Sequence, residues 1–281
     1  AGLYLMSFAQ PPVVSSVSPD SGNTGGGASV TITGSAFQTG ATVTFGGTAA
    51  TSVSVVDANT ITATTPAHAS GAVDVVVANP DFQSGTLANG FTYVNTPNIP
   101  ENVLATAQTT ETSILVTWSE STGATSYQVW RRAPGVVFTQ IDTPTTNSYT
   151  DTVTSHTSYL YRIRAVNLSG ASADSAPDLA TAMLFTNDPL TAGTVVRATH
   201  VSEGRMAIDH VRALAGLGPG SYTETVSAGV IIKASHVTQM RTALDEALAG
   251  LGLSTAAYTD GTLTGVIVKA VHHQEIRNRV K

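Results

Sequence analysis

The chain has 281 residues, no cysteine and a net charge of −6, and only 11% of its residues are charged. The lack of cysteine excludes disulfides, thiolate zinc sites and cysteine nucleophiles. Lysine and arginine are absent before Arg131, so nucleic acid binding by the first half is not expected, because a phosphate-binding surface needs clustered cations. The length predicts two or three domains, and no apolar run approaches the roughly 20 residues that span a bilayer.

Residues 1–12 form an apolar N-terminal arm that ends in Pro11–Pro12. Its large apolar side chains belong to Leu3, Tyr4, Leu5, Met6 and Phe8. Three interpretations stay open: insertion into a neighbouring subunit as an added strand, packing on its own chain, or a signal remnant, since Ser-Phe-Ala before Gln10 resembles a cleavage site. The cost of exposing such a surface favours a contact with another subunit.

Residues 13–94 contain short β-type runs at the spacing of a sandwich, with turn clusters between them. We predict strands at Val14–Val17, Ala28–Thr33, Thr42–Phe45, Ser52–Val56, Thr60–Thr64, Ala72–Val77 and Gly90–Val94. The runs VSSVSPDSGNTGGGASVTITGSAF, VTFGGTAA, ITATTPA and GAVDVVVANPDFQSG, in this order, resemble the TIG (IPT) immunoglobulin-like domain. The resemblance implies a spacer or adhesive module on an exported bacterial protein. Some family members bind DNA, which the missing basic residues argue against.

Residues 98–184 predict a second sandwich, with strands within 114–121, 126–132, 148–152 and 158–172. The segment resembles a fibronectin type III domain through Pro100, Trp118, Tyr127, Tyr161 within YRIRAVN, and the turn Asn167–Ser172. That family implies a protein-interaction or spacer role without a shared catalytic site.

Two features of this second sandwich leave alternatives open. Trp130, Arg162 and Arg164 form either a ladder of arginines stacked on an aromatic ring or a carbohydrate-binding platform. Asn167-Leu168-Ser169 fits the glycosylation sequon, which matters only in a host that glycosylates.

Residues 185–281 form a mainly α repeat domain, so the expected fold is multidomain, with two all-β immunoglobulin-like sandwiches before it. The runs VVRATHVSEGR, IIKASHVTQMR and IVKAVHHQEIR begin near 195, 231 and 267, a period of 36 residues. Such a period indicates one supersecondary unit that is repeated and stacked. Each unit predicts an extended piece and then a helix, with Thr199 and Ser235 as N-caps.

The repeat also places histidines and arginines at fixed positions, namely His200, His236, His272, Arg205, Arg241 and Arg277. Stacked units lie roughly 10 Å apart, too far for three histidines to converge on one zinc ion, so we expect structural corners and no metal or cofactor. The arginines predict a solvated or salt-bridging row beside Glu203 and Glu275. The block resembles a repeat at the C-terminal ends of secreted bacterial proteins, which implies export.

These patterns favour a non-enzymatic structural or adhesive protein that is extracellular or on the cell surface, with no GxSxG, HExxH or phosphate-loop motif. We expect self-assembly into a homo-oligomer or polymer such as a filament or surface layer, because the arm needs a groove and the third unit, which ends at Lys281, leaves an open end. A surface glycan or protein is the other expected partner. The alternative is a glycan- or protein-binding accessory region of a larger secreted hydrolase.

Overall fold

A computed structural model of the chain describes residues 10–281. The arm residues Leu3, Tyr4, Leu5, Met6 and Phe8 lie outside the described residues, so their subunit contact stays a prediction. The chain divides into two compact units, one built mainly from residues up to Asn98 and the other mainly from residues after it.

The first unit is a β-sandwich. Its strands are β1 (Val13–Ser18), β2 (Ser21–Asn23), β3 (Ser29–Ser35), β4 (Thr42–Phe45), β5 (Thr48–Ala49), β6 (Thr51–Asp57), β7 (Thr60–Thr64), β8 (Gly71–Ala78) and β9 (Ser84–Val94). One sheet has the order β1-β3-β7-β6 and the other β2-β9-β8-β4-β5, in which β2 and β9 are parallel. Alternate side chains of the strands face inward, so Ile32, Ile61 and Phe91 are buried between the sheets.

Another sandwich follows, and most of its residues belong to the second unit. Its strands are β10 (Leu104–Ala107), β11 (Ser113–Thr117), β12 (Ser126–Arg132), β13 (Thr139–Asp142), β14 (Ser148–Thr152), β15 (Ser158–Asn167), β16 (Gly170–Ala171) and β17 (Asp178–Thr181). The sheet β10-β11-β14 faces the sheet β13-β12-β15-β16, and β17 also pairs with β15. Trp118 and Tyr127 are buried, with ring centroids 5.2 Å apart in an edge-to-face pair.

Three helices follow, α1 (Ala198–Leu214), α2 (Ala234–Gly250) and α3 (Ala270–Val280). Each helix buries one face, as α2 does with Val237, Met240 and Leu244 at helical spacing. The fold class expected from the sequence, β-sandwiches followed by a helical C-terminal region, is therefore confirmed.

One hydrophobic core joins the helices to the second sandwich. Leu160 on β15 and Leu179 on β17 belong to the same buried cluster as Val201 and Ile208 on α1 and Ile276 on α3. The boundary predicted at 184/185 thus runs through a continuous core, and the division into two domains there stays a prediction.

Candidate functional site

A histidine at the third position of each helix closes the corner that precedes the helix. Nδ1 of His200 accepts a hydrogen bond from the backbone N–H of Arg197 at 3.1 Å. The equivalent bonds of the other units run from Lys233 to His236 and from Lys269 to His272, each at 3.2 Å. The imidazole thus reaches back to the residue before the helix, as the glutamate of a capping box does.

The prediction that Thr199 and Ser235 are N-caps is wrong. The last extended residues are Arg197, with φ −111° and ψ 164°, and Lys233, with φ −97° and ψ 158°. Thr199 and Ser235 lie at the second helical position. The N–H group of Arg197 or Lys233 is bound by an imidazole three residues later and not by a hydroxyl group.

The second ring nitrogen of each histidine ties the corner to a loop. Because Nδ1 accepts a backbone hydrogen, Nε2 carries the ring proton and donates it. The acceptors are Asn187 Oδ1 for His200 at 3.2 Å, Glu224 Oε2 for His236 at 3.1 Å, and Asp260 Oδ2 for His272 at 3.1 Å. Hydrogen bonds from Lys233 and His236 lower the pKa of Glu224, and the hydrogen bond from His272 is the largest cause that lowers the pKa of Asp260.

The three histidines therefore bind three separate loops. Within residues 10–281, no group of three or more histidine and carboxylate side chains is placed to hold a metal ion. The side chains of His236 and His272 have no exposed surface, so each is enclosed by its own unit and loop.

An arginine from each helix holds the loop that leads into the next helix. Arg205 of α1 donates to the carbonyl oxygen of Glu224 at 2.7 Å, and its guanidinium lies 4.6 Å from the ring centroid of Tyr222. Arg241 of α2 repeats this one unit later, donating to the Asp260 carbonyl at 3.0 Å and lying 4.4 Å from the ring of Tyr258. Carbonyl contact and cation–π contact thus recur together.

Arg277 of α3 makes the equivalent contacts with the segment that precedes the first unit, so the three units form a closed ring. It donates to the carbonyl of Thr186 at 2.9 Å and lies 4.8 Å from the ring of Phe185, both just ahead of the first unit. It also forms a 2.9 Å salt bridge with Glu203 of α1. The three helices contact one another pairwise. The expectation that the third unit leaves an open end is therefore wrong, because residues 185–187 complete the ring that the 36-residue period leaves unspecified.

The arginines are mostly buried and not a solvated row. The side chains of Arg241 and Arg277 are 6% and 1% exposed, and each is paired with a carboxylate, Glu275 for Arg241 and Glu203 for Arg277. The salt-bridging alternative of the sequence analysis describes these two. Arg205 is half-buried and forms no ion pair among the described residues. Buried ion pairs fix geometry more than they add net stability.

The third unit buries a histidine where the first two units have valine. Position 201 is valine, position 237 is valine, and the equivalent position 273 is histidine. His273 is 2% exposed, and its Nε2 has no hydrogen-bond partner among the described residues. Burial, assisted by neighbouring cations, lowers the pKa of His273 to about 3.

One face of the ring carries an apolar patch on the extended pieces that precede the helices. Val195, Ile231 and Ile267 occupy equivalent positions and are 71%, 79% and 81% exposed. We call these three residues the apolar triangle. They line a common groove of about 540 Å³, so residues far apart in sequence form one surface.

The aromatic group proposed as a carbohydrate platform has its ring occupied. Arg162 and Arg164 place their guanidinium carbons 5.5 and 4.9 Å from the ring centroid of Trp130, and Asp174 bridges both arginines. Trp130 is half-buried, and the two guanidinium groups beside its ring match the arginine ladder. Asn167 is 8% exposed, which hinders glycosylation of its sequon in the folded chain.

Comparison with known protein families matches the first sandwich. Residues 12–93 match the IPT/TIG domain. The predicted resemblance of the first sandwich is thereby confirmed. Over 112 residues the chain is 35% identical to Exoglucanase B of Cellulomonas fimi, a match that covers 38% of this chain and 9% of that protein. The chain thus spans less than a tenth of the length of this relative.

Two solved structures also resemble parts of the chain. Domains A168–A170 of titin are 19% identical, with 60% of this chain and 64% of that chain covered and a TM-score of 0.42. A fibronectin type III-like protein from Clostridium thermocellum is 32% identical, with 30% and 91% covered and a TM-score of 0.28. No helix in the described part of the chain is both long and apolar enough to cross a membrane.

Proposed function

We propose that the chain is a non-catalytic structural region of an extracellular protein, in which the ring of helices presents a binding surface. The observation that carries this proposal is the use made of the repeated polar side chains. The histidines hold helix corners and the arginines hold loops, so the repeat functions as a rigid support whose exposed feature is the apolar triangle. The IPT/TIG match and the similarity to part of an exoglucanase support a modular role.

The more specific form of this proposal is self-assembly into a homo-oligomer or polymer, with the arm residues Leu3, Tyr4, Leu5, Met6 and Phe8 contacting a neighbouring subunit. It is supported by the presence in one chain of both an apolar segment and an exposed apolar groove that could receive such a segment. The closed ring removes the open repeat end as an argument, so the arm and the groove now carry it.

Light scattering and negative-stain microscopy test self-assembly. The intact chain should give oligomers or filaments, and deletion of residues 1–10 should abolish them while both units stay folded. Oligomers of unchanged size after the deletion would exclude the arm as the connecting element. A surface glycan or protein would then be the remaining class of partner.

The similarity to Exoglucanase B favours a second candidate, an accessory region of a larger secreted hydrolase that binds a glycan or a protein. This candidate predicts a monomer that is retained on an insoluble glucan in a pull-down. An isolated chain that hydrolyses a soluble glucan would contradict both candidates, since neither assigns it catalysis.

A further inference from the structure

The apolar triangle has the features of a built surface. In each extended piece the side chains alternate, so that Ile231 points outward while Ile232 packs on the core of the second unit. The outward residue is exposed by more than two thirds at all three equivalent positions. Isolated exposed aliphatic residues are ordinary, but three that converge on one groove indicate a contact surface.

The backbone around the triangle is also available for pairing. The residue pairs 195–196, 231–232 and 267–268 make no backbone hydrogen bond to any residue of the described part. An extended backbone with unused N–H and C=O groups can accept an added strand. The groove therefore suits an extended apolar peptide better than a compact ligand.

The rim of the triangle carries three basic side chains, one of which has no acidic partner among the described residues. The residues that follow each exposed side chain by two positions are Arg197, Lys233 and Lys269, and all three are exposed. The amino ends of the three helices add further positive potential at this face. Glu224 and Asp260 pair with the two lysines and leave Arg197 without an ion pair among the described residues. The preferred occupant is thus an apolar segment attached to an acidic body.

The chain itself contains such a segment. Residues 1–9 are apolar or neutral, and the sandwich that follows them contains Asp20, Asp57, Asp74 and Asp81 but no lysine or arginine. Nine extended residues reach about 30 Å, which exceeds the roughly 10 Å between neighbouring helices, so one arm can contact all three units. Complementary charge on the adjoining sandwich would set the orientation.

We propose that the apolar triangle receives residues 1–9 of a second copy of the chain as an added extended segment. This inference rests on the proposed self-assembly and names the receiving surface. The contact joins two different surfaces of the same chain, so it is heterologous and propagates from copy to copy unless a rotation closes it.

The test measures binding of a fluorescein-labelled peptide, AGLYLMSFAQ, by anisotropy to the chain that lacks residues 1–9. One variant combines Val195→Ser, Ile231→Ser and Ile267→Ser. A matched control combines Phe82→Ser, Val137→Ser and Leu168→Ser, whose side chains are 96%, 77% and 81% exposed elsewhere. Unchanged tryptophan fluorescence and circular dichroism establish that both variants are folded.

We expect the triangle variant to weaken peptide binding by at least about tenfold relative to the control variant, because burial of a single aliphatic side chain is worth about that factor. Equal affinity for the two variants would overturn the inference.

Light scattering of the intact chain separates this result from the proposed function. Assembly that persists in the triangle variant would overturn the receiving surface and leave self-assembly standing. The third outcome combines the two assays. If the chain without residues 1–9 binds the peptide but the intact chain is monomeric at every concentration, occupancy by a second copy is overturned.

Discussion

The buried His273 predicts that the second unit loses stability between pH 7.5 and pH 5. Folding lowers the pKa of this histidine from 6.5 to about 3. As the pH falls below 6.5, the unfolded chain binds a proton that the folded chain binds only near pH 3, so stability present at neutral pH is lost as the pH falls. Because pH 5 lies about 1.5 units below the pKa of the histidine in the unfolded chain, the free energy of unfolding is lower there by about 2 kcal/mol.

The substitution His273→Val tests this reasoning, because the two equivalent positions of the ring already contain valine. We expect the loss between pH 7.5 and pH 5 to shrink by about 2 kcal/mol. At pH 7.5 the variant should be more stable by about 1 kcal/mol, since the buried Nε2 has no partner among the described residues. Burial also lowers the pKa of His200 and His210, so part of the pH dependence remains.

Urea unfolding followed by tryptophan fluorescence is a suitable assay, since Trp118 and Trp130 both lie in the second unit. Circular dichroism follows the helices in the same samples. Ile276→Val is the control, because it removes one methyl group from the ring centre and should cost about 1 kcal/mol equally at both pH values. A His273→Val variant with the pH dependence of the parent chain would refute the assignment.

Two further predictions concern the contacts that close the ring. Arg277→Ala should lower the free energy of unfolding by about 2–3 kcal/mol, because it removes a buried guanidinium that pairs with Glu203 and donates to the carbonyls of Thr186 and Asn187. Arg205→Ala should cost about 1 kcal/mol, since Arg205 has no ion pair among the described residues. Equal costs in urea unfolding would show that ring closure adds no more than an ordinary contact. His236→Ala should lower the free energy of unfolding by about 2 kcal/mol, because it leaves the N–H group of Lys233 without an acceptor. His236→Gln should recover part of this loss, because its amide oxygen can reach the same N–H group. Identical thermal midpoints for the two variants would contradict the role of His236 at the corner.

The sandwiches could be predicted from the sequence because their strands are strongly patterned. Every strand predicted in residues 13–94 is present, and β12 and β14 have the predicted bounds. The missed strands are short or weakly apolar, such as β2 (Ser21–Asn23) and β13 (Thr139–Asp142), which pair at sheet edges and carry little hydrophobic alternation of their own. Pairing with a neighbour, not local pattern, determines such strands.

The histidine corners could be located but not fully described. Their position at the start of each helix followed from the repeat, and the local hydrogen bonds that we expected for them are present. Which atom the imidazole binds did not follow, because a histidine at this position can accept from the backbone through Nδ1 or point away from it. The apolar triangle has a signal in the sequence, since Val195, Ile231 and Ile267 open the three extended pieces at a period of 36.

The 36-residue period does not predict that the ring is closed, because the closing contacts are made by residues 185–187, which precede the first unit. A repeat of fixed length fits an open stack as well as a closed ring, because the angle between units depends on side-chain packing. The closing segment is also out of register with the repeat by one residue. The residue 36 positions before Tyr222 is Thr186, whereas the aromatic side chain that contacts Arg277 is Phe185. Arg277 recognises two carbonyl oxygens and an aromatic ring, features that any short loop can supply. Strand β17 of the second sandwich contacts α1 and α3 and leads directly into this loop, so the second sandwich takes the place that a further repeat would occupy in an open stack.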